Sequence, residues 1–106
     1  MTEVEKKEYY SSLYDLYKSL LTDKQRGYFE DYYFNDLSLF EIASNNGVSR
    51  NAIYDQLQKV INILEDYESK LGLSRKEKAL NAVLEEYIES NNLEVKELIN
   101  KIKEME

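Results

Sequence analysis

Apolar residues recur along this chain at intervals of three and four and rarely at two, so the pattern reads as helix from end to end. In the first stretch Tyr10, Leu13, Tyr14, Tyr17, Leu20 and Leu21 keep that spacing, with Lys6, Lys7, Asp15 and Lys18 between them, which predicts one amphipathic helix. Thr22 or Asp23 can cap a second, because either side chain accepts from the free amides of a first turn, and its core face is Tyr28, Phe29, Tyr32 and Tyr33. Asn35-Asp36 breaks it. Ser38-Leu-Phe-Glu41 has the form of a capping box and opens a short third helix that buries Leu39, Ile42 and Ala43. Asn45-Asn46-Gly47 closes that helix and Ser49 caps a fourth.

The fourth helix carries Ile53, Leu57, Val60, Leu64, Tyr67 and Leu71 in a four-three stripe, and Gly72 stops it. Ser74 is placed to cap a fifth helix with Ala79, Leu80, Val83, Leu84, Tyr87 and Ile88 inward. Ser90-Asn-Asn92 interrupts before a last segment built on Val95, Leu98, Ile99 and Ile102. The expected fold is all-α, a bundle of five or six helices, with residues 1–73 as a helical domain. Residues 74–106 form a helical tail, packed on the same domain or at a dimer interface. The stripe and the apolar tail supply more inward-facing residues than so small a domain needs, so the sequence predicts a homodimer or docking onto a partner.

Composition narrows the chemistry. At 106 residues the chain fits one modest core, and it contains no Pro, Cys or His. Disulfides, thiolate nucleophiles and imidazole or thiolate metal ligands are thereby absent, as is the commonest proton-transfer residue. Glu65, Asp66 and Glu68, and likewise Glu85, Glu86 and Glu89, form carboxylate clusters, but such clusters beside Lys or Arg on helices read as solvated faces. No catalytic residue, metal site or cofactor is expected, and the protein is read as a non-enzyme. No apolar run approaches the roughly 20 residues of a membrane span, and the Met-Thr-Glu-Val-Glu start lacks signal-peptide order. A cytoplasmic protein without membrane insertion is the expectation.

The net charge is -7, from 21 acidic and 14 basic residues, the wrong sign for holding nucleic acid by bulk electrostatics. Any such contact must be local. Between positions 21 and 60 the basic residues are Lys24, Arg26, Arg50 and Lys59.

Residues 38–60 nevertheless have the layout of a helix-turn-helix. Ala43 is small where the helices approach, Gly47 lies in the turn, and Ile42, Val48 and Ile53 supply the inner faces. The stretch from Leu21-Thr22 to Leu57 resembles the promoter-reading C-terminal region of bacterial sigma factors. A closer resemblance is to the YlxM family of small sigma-like helix-turn-helix proteins. It is carried by Leu20-Leu-Thr22, Lys24-Gln-Arg26, Tyr32-Tyr33, Ser38, Glu41-Ile-Ala43, Val48-Ser-Arg50, Ala52, Tyr54-Asp55, Leu64-Glu65, Tyr67-Glu68 and Lys70-Leu71. That resemblance implies a regulatory or accessory role in the signal recognition particle pathway, through binding of the particle's protein or RNA.

If the fourth helix enters a major groove, Arg50, Asn51 and Tyr54 face the bases, with Asp55 at their border and Ser49 near a phosphate. Lys24, Arg26 and Lys59 are then the backbone contacts to duplex DNA. The plainer alternative makes the motif a packing unit whose outer face meets a protein, with Ser49 a simple helix cap. Tyr9, Tyr10 and Tyr54 admit a comparable pair of readings, as a stacking platform for single-stranded RNA or as rings filling core. The sequence leaves these open.

Overall fold

Short-range polar signals place most helix ends. The computed structural model describes residues 1–105. Helix α1 spans Glu3–Tyr17 and is capped by Thr2, which accepts from the Glu5 amide at 3.1 Å. A 3-10 turn over Lys18–Leu20 leads to α2, Asp23–Tyr33. Thr22 rather than Asp23 is its cap: the hydroxyl accepts from the Gln25 amide while the Gln25 side chain accepts from the Thr22 amide. Beyond α2 the chain reverses through Asp36 at a φ of 54°, a left-handed conformation that Asp tolerates better than most residues. Ser38 and Glu41 form the expected reciprocal cap of α3, Leu39–Asn46. Gly47, at a φ of 65°, ends α3, and Ser49 accepts from the Ala52 amide to start α4, Arg50–Leu71. Gly72 ends α4 in the same left-handed way. Helix α5 is Leu73–Tyr87, and α6, Leu93–Glu104, is capped by Asn92. Among the described residues the regular structure is these six α-helices and the 3-10 turn, and the protein is all-α.

Two compact units divide the chain, Met1–Ser74 and Arg75–Glu106. In the first, α4 is common to two apolar clusters. Leu13, Tyr14, Tyr17, Leu21 and Phe29 pack on Val60 and Leu64 of its second half. Tyr28, Ile42 and Ala43 pack on Ile53 and Leu57 of its first half. Each fully buried side chain of this kind contributes about 1.5–3 kcal/mol relative to exposure, so α4 is fixed along its length. The Phe29 ring stacks between Tyr14 and Tyr33, with centroids 4.4 and 4.3 Å away.

Four expectations are corrected at the far end of α4 and beyond. Leu71 continues the stripe but is exposed, whereas Glu68, expected on a solvated face, is only 6% exposed. The groups that cover the last turn, Tyr17 and the start of α5, lie on the Glu68 side. Ser74 is not a helix cap: α5 begins one residue earlier, its Leu73 amide donates to the Tyr17 hydroxyl at 3.1 Å, and the Ser74 amide donates to the Glu68 carboxylate at 3.0 Å. In the second unit Leu84 and Ile99 are buried, while Ala79, Leu80, Val83, Tyr87, Ile88 and Leu98 are exposed. Periodicity had marked the apolar face correctly, but a face is buried only where something covers it. No helix among the described residues is long and apolar enough to cross a membrane.

Candidate nucleic-acid interface

The chain turns between α3 and α4 in three residues, Gly47-Val48-Ser49. The Val48 amide donates back to the Ala43 carbonyl at 3.1 Å, and the Asn46 side chain donates to the Ile42 carbonyl at 2.7 Å, so the end of α3 is held closed. Ile42, Ala43, Ile53 and Leu57 bury the inner faces against Tyr28 of α2. With that side of α4 committed to the core, its first two turns point the remaining residues outward. Arg50, Asn51 and Tyr54 are all exposed, and at 3.6 residues per turn they fall within about 100° of one another. Their side chains are not tied by hydrogen bonds or ion pairs to the other described residues.

The other candidates separate from this group. Lys59 lies half a turn around α4 from Arg50. Lys24 sits over the Tyr28 ring, 5.9 Å from its centroid. Arg26 is occupied: its guanidinium donates to the carbonyls of Lys18 and Leu21, each at 3.1 Å, and pairs with Asp23. It stitches the α1–α2 connection, sharing the Lys18 carbonyl with the Leu21 amide of the 3-10 turn. Ser49 uses its hydroxyl as the cap of α4.

Two features escaped the residue pattern. Phe40, inside the capping box of α3, is 71% exposed, so the motif presents an aromatic ring beside its polar residues. Its position one residue after Leu39 places it off the buried face, which is a signal readable only once that face is known. A groove of roughly 530 Å³ also opens where Gln58 and Ile61 of α4 meet Tyr10, Tyr32, Tyr33, Lys6 and Lys7. Gln58 stands one turn beyond Tyr54, so the outward stripe of α4 runs into this groove.

The tyrosines divide between roles. Tyr14, Tyr17 and Tyr28 are buried, Tyr9 and Tyr10 pack against the α1–α2–α4 cluster, and Tyr54 stands exposed. Tyr10 donates to Glu65 at 2.8 Å; burial first, and then that carboxylate, pushes its hydroxyl up to about 12. Burial, helped by the neighbouring Tyr32, raises Tyr33 likewise to about 12. Tyr14 is raised by burial and by its bond to Glu30.

A glycine turn, two helices with buried inner faces, and an outward first turn on the second helix define a helix-turn-helix protein. The chain belongs to the UPF0122 family, whose model, described as "Putative helix-turn-helix protein, YlxM / p13 like", matches residues 4–105. It is 43% identical over 95 residues to a UPF0122 protein of Mycoplasma capricolum subsp. capricolum, covering 90% of this chain and 83% of that one. A UPF0122 protein of Geobacillus sp. (strain WCH70) is 45% identical over 97 residues, covering 89% and 88%. One from Streptococcus gordonii is 46% identical over 87 residues, covering 82% and 79%.

Proposed function

We propose that this chain is a non-catalytic regulatory protein of the cytoplasm that binds duplex DNA through α4. The observation that carries the reading is the trio Arg50, Asn51 and Tyr54, projecting together from the first turns of α4 and unused in holding the fold. A guanidinium can pair with the guanine edge and an amide with the adenine edge in the major groove, and these are the side chains at the tip. Ser49, Lys24 and Lys59 serve as flanking phosphate contacts in this reading, and Arg26 supports the α1–α2 connection that leads into Lys24. Few cations are on offer, so binding is weak per copy and strongly salt-dependent.

A second reading is favoured by the net charge of -7 and by the exposed Phe40 on the motif. In it the same face meets the protein or RNA of the signal recognition particle, and the chain acts as an accessory protein of that pathway. Fluorescence anisotropy of a labelled duplex from the protein's own promoter, at low and physiological salt, separates the two. Saturable binding that weakens with salt and falls at least tenfold in Arg50→Ala supports DNA recognition. No binding at low salt, together with co-purification of the particle, establishes the second reading instead.

A further inference from the structure

Within the second unit, α5 carries an apolar stripe that stays open to water among the described residues. Leu80, Val83 and Tyr87 are 37%, 52% and 51% exposed, and with Lys76 they follow the four-three-four spacing of a coiled-coil seam. Leu84, on the neighbouring face, is buried. A stripe of this kind on so short a unit leaves apolar surface in water that a second helix would remove.

The charges on α5 specify what that second helix is. Its first turns hold Arg75, Lys76 and Lys78 against a single Glu77, and its end, with the residues just beyond, holds Glu85, Glu86 and Glu89. This order opposes the helix macrodipole, which favours acids at the start and bases at the end. A sequence arranged against its own dipole becomes favourable when an identical helix lies beside it in the opposite direction. The basic start of each copy then faces the acidic end of the other, whereas a parallel pair sets like charges together.

We propose that α5 is a self-association surface: two copies of the chain pair antiparallel through Leu80, Val83 and Tyr87, about a two-fold axis near residues 81 and 82. Leu80 of each copy meets Val83 of the other, and Lys76 meets Tyr87, an ammonium against an aromatic face. This inference stands on α5 alone and does not depend on what the helix-turn-helix binds. Its effect on that function is arithmetical, because a dimer presents two copies of Arg50 and Asn51.

Light scattering coupled to size-exclusion chromatography of the full chain tests it. The expected mass is twice 12.6 kDa for the native chain, falling to the single-chain value in Val83→Glu, with the helical circular-dichroism signal unchanged. Orientation is tested with single cysteines, absent from the native chain, and a short bis-maleimide bridge. Val83→Cys, close to the axis, is expected to bridge to its mate, whereas two copies of Tyr87→Cys lie about 16 Å apart along an antiparallel pair and do not. A native chain that is monomeric at all concentrations, or a Val83→Glu variant that is still dimeric, overturns the surface. Efficient bridging at both positions overturns the antiparallel arrangement.

Discussion

The Tyr17 hydroxyl donates to the Glu68 carboxylate at 2.8 Å across 51 positions of sequence, and both groups then accept from the amides that begin α5. A carboxylate this far from water stays only because it is hydrogen-bonded, and a helix start without its own cap stays only because other groups serve its amides. One tyrosine and one glutamate therefore solve two problems at once.

Removing either partner takes a hydrogen bond from the groups that remain. Glu68→Ala is expected to destabilise the first unit by about 2 kcal/mol, since the Tyr17 hydroxyl and the Ser74 amide lose an acceptor in a dry site, and Tyr17→Phe by about 1–2 kcal/mol. In urea unfolding the double variant should lose less than the two singles together, because the groups share one network. Losses that simply add would show that the two groups act independently.

Arg26 and Arg50 are equivalent candidates in the sequence, but in the structure Arg26 is half-buried and Arg50 exposed. Arg26→Ala removes two bonds to carbonyls and should lower stability by about 1 kcal/mol, while leaving duplex affinity within twofold. Arg50→Ala should leave the unfolding midpoint in place and act on binding. Paired melting and anisotropy curves for the two variants check both statements, and an Arg26→Ala variant that keeps its stability but loses affinity would contradict this assignment.

Gly27 sits in the interior of α2, where an added Cβ meets nothing within 4 Å. Gly27→Ala is accordingly expected to stabilise the protein by about 0.5–1 kcal/mol, by reducing the freedom of the unfolded chain. Gly47→Ala should do the opposite, by about 1 kcal/mol, because an L side chain is strained at its φ of 65°. Thermal melts of the two variants should move in opposite directions.

Alkaline pH should unfold the protein earlier than simple charge repulsion would. Tyr10 and Tyr33 hold their protons to about 12 in the folded state against about 10 when unfolded. A raised folded value means that their contribution is fully present below pH 10 and is lost as the pH climbs from there through 12. Tyr10→Phe, which cannot ionise, should flatten part of that loss, as followed by tyrosinate absorbance and helicity on one titration. A stability profile flat from pH 10 to 12 would refute it.

Much of the architecture was legible because the signals are local. Ser38 with Glu41, Ser49, Gly47 and Gly72 each act within a few residues, and the structure uses each as the sequence indicated. Glu68 was not legible: its neighbours on α4 are acidic and solvated, and the groups that make its burial tolerable include Tyr17, far away in the chain, and the amide of Ser74. The stripe on α5 was read as inward because spacing reports a face and cannot report its cover. At the site, Arg50, Asn51 and Tyr54 follow from helix geometry, whereas the separate duty of Arg26 depends on the carbonyls at a 3-10 turn that no pattern announced.

Helix α4 runs unbroken for 22 residues, about 33 Å, from Arg50 at its outward tip to the turns where Glu68 is buried. A rod packed on both halves cannot bend to accommodate a ligand at one end, so any shift or roll forced on Arg50 and Asn51 is delivered whole to the Tyr17–Glu68 junction. The protein thus has the mechanics of a lever: amide exchange at Leu73 and Ser74 should register an event that takes place at the opposite end of the helix.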